Sequence, residues 1–510
     1  MEFELLAEEI TPLLTNQDEP NESGEKKPSP WYIIIPVFTL SFAYGASIAP
    51  TVEALSVIYC YKYYRAQGID ISDIPFDHCN IPAVQSLVSE AQAAFLFLSN
   101  ASTLIFAGYY GTLSDRKGRR LVMVISLLGG IIPFAGLVLT LRYFGTFDVF
   151  LLYAANTIRG FLAGDSVLIA TANAYLTDCT TQSNRTSAFS YLAASACIGL
   201  ALGPYVGSFI IKQTGSINSV FYVIIAIHIA FIMYNTFFLP ESNDITKYKP
   251  SPKQTFLQSI NVFSAIGVFF RKPVNHASRW TLPILALVQV LIYIASLPPF
   301  LLYAMLKFGW TAYEGGLFYS ITSSSRLVMM LVVLPLITKL FNKSLPISEK
   351  ERASLNTNKS SPPKNSSALE LEEMDLKQNS HHSMTLDIVL IRIGLCFKTV
   401  AMTAFGLTAT SSGFILSGVL ESVDALANPS LRSLMTALVD PSQTGELWGA
   451  LATLDSCSVI LSQLLINYIY SASVSTMPSF TFFVCAGISG VAMLLIFMIH
   501  SNQKKLDEEA

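Results

Sequence analysis

The sequence predicts an all-α polytopic membrane protein with twelve transmembrane helices in two six-helix bundles, and three observations lead to this fold class. First, 52% of the 510 residues are hydrophobic and 13% are charged, whereas soluble domains are about 25% charged. Second, apolar runs recur along the chain, and each is close to the ~20 residues that cross a hydrocarbon core. Third, one segment recurs at equivalent positions of the two halves, as expected for parallel repeats related by an axis along the membrane normal.

Sustained apolar runs locate the twelve helices. Spans 1 to 6 would form an N-terminal bundle over 31–239, and spans 7 to 12 a C-terminal bundle over 280–500. The repeat reads LTDCTTQSNRTSAFSYL after span 4 and LVDPSQTGELWGALATL after span 10, with Asp178 and Asp440 at matching positions. In chain order, spans 1 to 12 are placed at 31–56, 88–111, 121–143, 148–177, 185–212, 218–239, 280–306, 313–341, 385–408, 412–438, 445–471 and 477–500.

The segments outside the spans are polar and fall on one predicted side. Residues 1–30 are acidic and Pro-rich, which predicts a disordered cytosolic tail, and 501–510 form a second cytosolic tail. The linker 240–279 is basic and includes a stretch suited to an interfacial helix. The insertion 342–384 is rich in Ser, Lys, Asn and Glu, which predicts disorder. Because Lys and Arg accumulate in cytoplasmic loops, both termini are expected in the cytosol.

The loop between spans 2 and 3 reads GTLSDRKGRR and carries four cations in five positions. Its glycines allow a tight turn and close helix approach, its acid suits a helix N-terminus, and its arginines supply forked donors for carboxylates. We interpret it as a two-state gating latch, although a simple topology signal is the alternative. The predicted gating residues are Gly111, Leu113, Asp115, Arg116, Gly118, Arg119, Arg120, Asp178 and Asp440.

Span 5 contains a run of small residues at four-residue spacing around a proline. Gly199, Gly203 and Gly207 would let a neighbouring helix approach closely, and Pro204 would bend the helix by releasing a backbone hydrogen bond. Close packing alone and a direct role in coupling are both open.

The two motifs, G-x-L-x-D-R-x-G-R-R and G-x-x-x-G-P-x-x-G-S, resemble those of major facilitator superfamily transporters. The first resembles the loop between helices 2 and 3 in that family, and the second resembles the helix 5 motif associated with antiporters. The chain looks most similar to the tetracycline-resistance-like and proton-coupled-folate-transporter-like branches, including fungal members. This resemblance implies the major facilitator fold, with a substrate cavity near mid-membrane between two bundles that rock against each other.

Charged side chains inside the spans are the main functional signal, because burying them in hydrocarbon is costly unless they face a cavity or a partner. In span 10, Glu421, Asp424, Asn428 and Arg432 project within roughly 80° of one another on a helix. The two acids lie one turn apart, so one of them could hold a proton near neutral pH. A network neutralised by nearby cations is the alternative. The predicted substrate or proton-coupling residues are Arg159, Asp165, Arg326, Lys398, Glu421, Asp424, Asn428 and Asp455.

Three ionisable residues in spans 1, 4 and 6 need separate mention. Glu53 in span 1 is another buried acid, and Arg159 resembles the span 4 arginine of the family. His228 in span 6 is expected to be a hydrogen-bonded core residue rather than a proton carrier.

Cys60 and Cys79 both lie in the loop between spans 1 and 2, on the side opposite the cytosol. That side passes through the oxidising secretory pathway, so the pair could form a disulfide or remain as two thiols. The other five cysteines fall in or at the ends of apolar segments without metal-ligand spacing.

The N-terminal tail contains Glu9 followed, after three residues, by Leu13 and Leu14. This spacing resembles an acidic dileucine sorting signal, which implies a sorting adaptor as partner. A vacuolar or lysosomal-type membrane is therefore favoured, with the plasma membrane as the alternative.

The sequence contains no nucleophile triad, metal-ligand cluster or phosphate-binding Gly-rich loop, so neither an enzyme nor a cofactor is expected. A net charge of −3 gives no reason to expect a nucleic-acid partner. The predicted function is secondary active transport of a small organic solute across the lipid bilayer, coupled to protons by alternating access. The alternatives are an uncoupled facilitator and a transporter-like sensor or sorting protein without flux.

Overall fold

A computed structural model describes residues 28–69, 76–144, 147–180, 185–243, 267–270, 278–343, 365–439 and 444–499. Within these ranges every regular element is helical, and the helices correspond in order to the twelve predicted spans. Two short 3₁₀ turns, Phe76–Cys79 and Gly267–Phe270, lie between spans.

The helices keep the numbers of the predicted spans. Spans 1 to 6 are Trp31–Ala66, Pro82–Lys117, Arg119–Arg142, Phe150–Phe161 with Gly164–Asp178, Arg185–Thr214, and Asn218–Phe237. Spans 7 to 12 are Thr281–Ile294 with Phe300–Phe308; Ala312–Val328 with the π-turn Met329–Val333 and Leu334–Lys343; Asn365–Leu407; Ser411–Glu421 with the 3₁₀ turn Ser422–Leu426 and Ala427–Ala437; Thr444–Ser473; and Phe480–Met498. Eight of the described helices are long and apolar enough to cross a membrane unaided, and they belong to spans 1, 2, 3, 5, 6, 8, 9 and 12.

Three spans are interrupted where the sequence predicted continuous helices. Span 4 breaks at Ala163, which adopts a left-handed conformation with φ of 71°. Span 7 breaks before Pro299, because a proline cannot donate a helical hydrogen bond and restricts the residue before it. Span 10 tightens into a 3₁₀ turn over Ser422–Leu426. Apolar composition does not reveal such breaks. The breaks place polar backbone groups and charged side chains at membrane depth.

Two predicted boundaries were wrong. The charged hinge over 111–120 is mostly helical, because span 2 continues to Lys117 and Gly118 alone separates it from span 3. The insertion 342–384 was predicted to be disordered, but the helix of span 9 begins at Asn365. Its first turns contain Ala, Leu, Glu and Met, which are strong helix formers, and helix propensity therefore extends the span beyond the apolar run.

Several predicted features lie outside the described residues. These are most of the N-terminal tail with its sorting signal, the tail 501–510, most of the interfacial segment in the linker, the first part of the insertion, and Asp440.

Spans 1 and 5 approach so closely that only glycine fits at their contact. A Cβ atom on Gly203 would lie 2.2 Å from the carbonyl oxygen of Phe42, and one on Gly199 would lie 2.5 Å from that of Phe38. The small-residue motif of span 5 therefore packs against a helix of its own bundle, as close-packed membrane helices do. On another face of span 5, the carbonyl oxygen of Pro204 lies 2.9 Å from where a Cβ on Gly316 of span 8 would be.

Cys60 and Cys79 form a disulfide between the end of span 1 and the turn that precedes span 2, with a Cα–Cα distance of 5.3 Å. Both residues are buried. We call this end of the molecule the disulfide end, and the opposite end, which carries Gly118, the motif end. An aromatic cluster fills the disulfide end of the C-terminal bundle, with ring centroids 4.7–6.4 Å apart among Phe300, Tyr303, Phe405, Phe414 and Phe482.

Hydrogen bonds join the two bundles in the half of the molecule toward the disulfide end. The hydroxyls of Ser86 and Ser471 lie 2.6 Å apart, linking span 2 to span 11. Ser89 donates to the side-chain oxygen of Asn467 at 3.1 Å on the same pair of helices. Ser208 of span 5 donates to the carbonyl oxygen of Tyr313 in span 8 at 3.0 Å. The described contacts therefore close the bundle interface at the disulfide end.

The disulfide predicts a simple count of reactive thiols. Thiol labelling of the unreduced, denatured protein should modify five cysteines, and labelling after reduction should modify all seven. The double variant Cys60→Ser/Cys79→Ser should give five in both states and serves as the control. Seven labelled cysteines before reduction in the wild type would contradict the bridge.

Candidate transport site and gating contacts

The first charged set lies in span 4, where the helix breaks. An amino group of Arg159 donates to Asp165, and the break at Ala163 places Asp165 in the first turn of the second helix, where a negative charge is favoured by the helix dipole. The break packs against span 2, because a Cβ on Gly160 would lie 2.4 Å from the carbonyl oxygen of Ser99. Close packing of the two helices therefore fixes the position of this ion pair.

His228 of span 6 lies within electrostatic range of that pair. Its Nδ1 is 2.9 Å from the carbonyl oxygen of Ile224. Because a carbonyl oxygen can only accept, Nδ1 is the donor in this contact. The Nε2 atom packs against Gly130 of span 3. This is the hydrogen-bonded core histidine that the sequence predicts.

The second charged set connects spans 7, 8, 9 and 10. Arg326 donates to Glu421 at 2.5 Å, and Lys398 donates to Asp424 at 2.7 Å. The Lys398 ammonium also donates to the hydroxyl of Ser296 at 2.7 Å and is 3.4 Å from the carbonyl oxygen of Ile292. Three oxygen acceptors thus match the three donors of an ammonium whose side chain has no solvent exposure.

A third pair lies nearer the motif end. Arg432 of span 10 donates to Asp455 of span 11 at 2.7 Å, and Gln289 of span 7 donates to the same carboxylate at 3.1 Å. Asn428 lies beside the Tyr293 hydroxyl, which also contacts Arg432. This pair ties together three helices of one bundle.

The charged residues of the polar stripe predicted for span 10 therefore have their partners on three neighbouring helices. Glu421, Asp424 and Arg432 each pair with an opposite charge from a different span. The structure matches the alternative of a network neutralised by nearby cations rather than two acids that act mainly on each other. The sequence named the cations but could not assign their partners, because the pairing depends on helix rotation and on the 3₁₀ turn at Ser422–Leu426.

Two tyrosines that the sequence analysis did not select connect the charged sets across the bundle interface. Tyr44 of span 1 is in electrostatic range of Arg159 and Asp165. Tyr319 of span 8 is in electrostatic range of both Tyr44 and Arg326. Tyrosine is common in membrane helices for other reasons, so no sequence signal marked these two. These interactions link the charged set of the N-terminal bundle to that of the C-terminal bundle.

At the motif end, Arg119 joins the ends of spans 2 and 4. Its guanidinium donates to Asp178 at 3.1 Å, to Asp115 at 2.6 Å and to the hydroxyl of Ser114 at 3.0 Å. Arg120 donates to the carbonyl oxygen of Thr236 at the end of span 6. Of the predicted gating residues, Asp115, Arg119 and Asp178 thus meet within the N-terminal bundle. Leu113 packs beside a small apolar cluster and Arg116 is exposed on the surface.

Glu241 completes this arrangement and was missed by the sequence analysis. Its carboxylate accepts from the backbone amides of Arg119 at 2.8 Å and of Arg120 at 3.2 Å, the free donors at the start of span 3. The side-chain amide of Asn243 donates to the carbonyl oxygen of Asp115 at 2.7 Å. The available signal was that a helix start flanked only by cations needs an anion from elsewhere.

These features agree with a comparison of the chain with known proteins. Residues 30–348 match the family model of the Major Facilitator Superfamily. The chain belongs to this superfamily. The MFS-type transporter avaJ of Aspergillus versicolor is 24% identical, over 98% of this chain and 96% of its own. The class C tetracycline resistance protein of Escherichia coli is 24% identical, over 76% of this chain and 80% of its own.

The fold agrees with solved structures of the superfamily. The crystal structure of the human organic anion transporter MFSD10 (TETRAN) aligns with a TM-score of 0.58 at 14% identity, over 92% of this chain and all of that one. Membership of the Major Facilitator Superfamily confirms the predicted twelve-helix, two-bundle fold and the prediction that the chain is not an enzyme. It is an integral membrane protein whose family transports small solutes across the bilayer.

The geometry at Gly118 predicts that the two glycines of the gating motif respond differently to alanine. Gly118 has φ of +100°, and a Cβ there would lie 2.3 Å from the Glu241 carboxylate. Gly118→Ala should lower the free energy of unfolding by about 1–2 kcal/mol because the backbone is in a left-handed region, and it should reduce transport. Thermal unfolding in detergent and uptake into proteoliposomes would measure both effects.

Gly111→Ala is the matched control, because Gly111 lies inside a helix and a Cβ there meets no atom within 4 Å. It should leave transport intact and raise stability by about 0.5–1 kcal/mol. Equal effects of the two substitutions would show that Gly118 has no special conformational role.

Proposed function

We propose that this superfamily member is a proton-coupled secondary transporter in which Asp424 and its partner Lys398 form the coupling site. The observation that supports this proposal is the complete burial of the Lys398 ammonium beside the Asp424 carboxylate. A buried pair of this kind is stable only while both members are charged, since removal of one charge leaves the other uncompensated. Protonation of the acid must therefore be accompanied by a rearrangement.

The second ion pair, Arg326 with Glu421, could connect this rearrangement to the cavity. Arg326 and Glu421 are both within electrostatic range of Asp424. One carboxylate oxygen of each acid, Oδ1 of Asp424 and Oε1 of Glu421, is buried without a hydrogen-bond partner among the described residues. Either atom can accept a proton without first breaking a bond. A charge change at Asp424 would alter the attraction between Arg326 and the acids.

In the proposed cycle, protonation and solute binding act on the same pair of states. The conformation described here is closed at the disulfide end through contacts such as Ser86 with Ser471. A second state would be closed at the motif end. The proton and the solute would each bind the two states with different affinities, which is the condition for coupling. The bundles would then exchange between the two states around the central site.

The two alternatives predict different use of the charged residues. A facilitator in which the acidic stripe of span 10 binds a cationic solute needs those acids to be exposed to the cavity, whereas Glu421 and Asp424 are each paired with a cation and largely buried. A sensor or sorting protein needs no flux. Directional flux in liposomes separates it from both transporter models.

Asp424→Asn tests the coupling site. In proteoliposomes, accumulation of solute driven by a pH gradient should fall to the level of protein-free liposomes, because the amide cannot exchange a proton. Counterflow exchange without a gradient should persist. The solute would be the compound that most raises the thermal midpoint in a screen of organic acids, amines, zwitterions and drugs at acidic and neutral pH.

Asp148→Asn is a suitable control, since Asp148 lies between spans 3 and 4 and its carboxylate accepts a hydrogen bond from the backbone amide of Val149, which an Asn side-chain oxygen can also accept. It should retain both activities. Wild-type accumulation by Asp424→Asn would rule out this acid as the proton carrier.

For cellular placement, we propose that the motif end faces the cytosol and that Glu9, Leu13 and Leu14 direct the protein to a vacuolar or lysosomal-type membrane through a sorting adaptor. The basic residues around Gly118 support the orientation. A fluorescently tagged Leu13→Ala/Leu14→Ala variant should move to the plasma membrane. Leu5→Ala/Leu6→Ala is the control, because no acid lies four residues before Leu5. Unchanged location of the first variant would exclude the signal.

A further inference from the structure

The two ion pairs that face the cavity are oriented in opposite senses. We propose that the transported solute is a zwitterion, with a cationic group that binds Asp165 and an anionic group that binds Arg326. This inference names the substrate class of the transport site and rests on the proposed function.

The orientation follows from the exposure of each partner. In the N-terminal bundle, the Asp165 side chain is 56% exposed and its partner Arg159 is 18% exposed. In the C-terminal bundle, the order is reversed, because the Arg326 side chain is 49% exposed and Glu421 is 4% exposed. One wall of the cavity therefore presents a carboxylate, and the opposite wall presents a guanidinium. Each has its counter-charge behind it, away from the cavity.

The exposed groups face the bundle interface rather than the surrounding membrane. Tyr44, which is 56% exposed, lies in electrostatic range of Asp165 and also of Tyr319 in the other bundle. Tyr319 is in turn in range of Arg326. Electrostatic interactions thus link the four side chains across the interface, with the two phenol groups between the opposite charges. Phenol groups can pack against the apolar part of a solute and donate or accept hydrogen bonds.

A singly charged solute fits this arrangement poorly. A cation that binds Asp165 leaves Arg326 without a new partner when the bundles close. An anion that binds Arg326 likewise leaves Asp165 without a new partner. Closure removes water from the exposed side of each group, so a charge that gains no partner from the solute loses hydration without a new contact to compensate for it. The other nearby ionisable groups do not offer a substitute, because Lys398 is fully buried and His228 is held by its own helix.

The experiment compares matched compounds that differ only in charge. Purified protein is titrated with ω-amino acids of increasing chain length and with the alkylamine and the alkanoate of each length. Aromatic amino acids, their methyl esters and their N-acetyl derivatives form a second set. Dissociation constants are obtained from the rise in thermal midpoint. Wild-type protein should bind the best zwitterion about 10- to 100-fold more tightly than either singly charged analogue, as expected for one charged hydrogen bond.

Two variants assign the charges to the walls. Asp165→Asn should bind the zwitterion no more tightly than the matched anion, and Arg326→Gln should bind it no more tightly than the matched cation. If Asp165 and Arg326 had purely structural roles, the substitutions would instead lower the binding affinity of all three compounds equally. Asp165→Glu should restore the preference for the zwitterion. Its binding would show that a protein substituted at this position is folded.

The proposal is overturned if amines or acids bind as tightly as the zwitterions, if no zwitterion in either set raises the thermal midpoint, or if the variants weaken all compounds equally. Because binding is measured without a gradient, it is independent of proton coupling. A protein that binds zwitterions but does not accumulate them in response to a pH gradient would contradict the coupling proposal and leave this inference intact.

Discussion

Charge pairing at membrane depth is the constraint on which the rest of this structure depends. An isolated ionised side chain cannot be held in a low-dielectric interior, and the three pairs of the C-terminal bundle meet this requirement by joining different helices. Lys398 with Asp424 connects spans 9 and 10, Arg326 with Glu421 connects spans 8 and 10, and Arg432 with Asp455 connects spans 10 and 11. Span 10 belongs to all three pairs, so its rotation is fixed by charge as well as by packing.

Most of the described hydrogen bonds between the bundles join uncharged groups, although the backbone amide of Ala312 in span 8 donates to the Glu53 carboxylate of span 1. Ser86 with Ser471 and Ser89 with Asn467 are hydrogen bonds between uncharged groups, each of which contributes about 1 kcal/mol net. An ion pair buried within a bundle costs several times more to separate. The ion pairs therefore resist separation within a bundle more strongly than these hydrogen bonds resist separation of the two bundles. This difference in strength is what alternating access requires, because the bundles must separate without loss of their own structure.

The sequence predicted the number and order of the spans, because apolar length is a direct consequence of bilayer thickness. It also selected the residues that form the ion pairs, since a charge in an apolar run is conspicuous. It could not pair Arg326 with Glu421 or Lys398 with Asp424, because partners depend on helix rotation and on the break at Ser422–Leu426. The capping role of Glu241 was also missed, because this acid lies 122 residues from Arg119. The start of span 9 at Asn365 reflects helix propensity, which an apolar-run criterion does not detect.

Span 8 carries Arg326, the proposed binding residue for the anionic group of the solute, and also contributes to the bundle interface. At its start, the backbone amide of Ala312 donates to Glu53 of span 1, so an acid from one bundle caps a helix of the other. Further along, Arg326 faces the cavity, and a π-turn follows at Met329–Val333, a distortion that often marks functional sites in helices. A solute that binds Arg326 therefore acts on the same helix that holds the disulfide end closed. In the proposed mechanism, this continuity through one helix transmits binding at the cavity to the contact that must open.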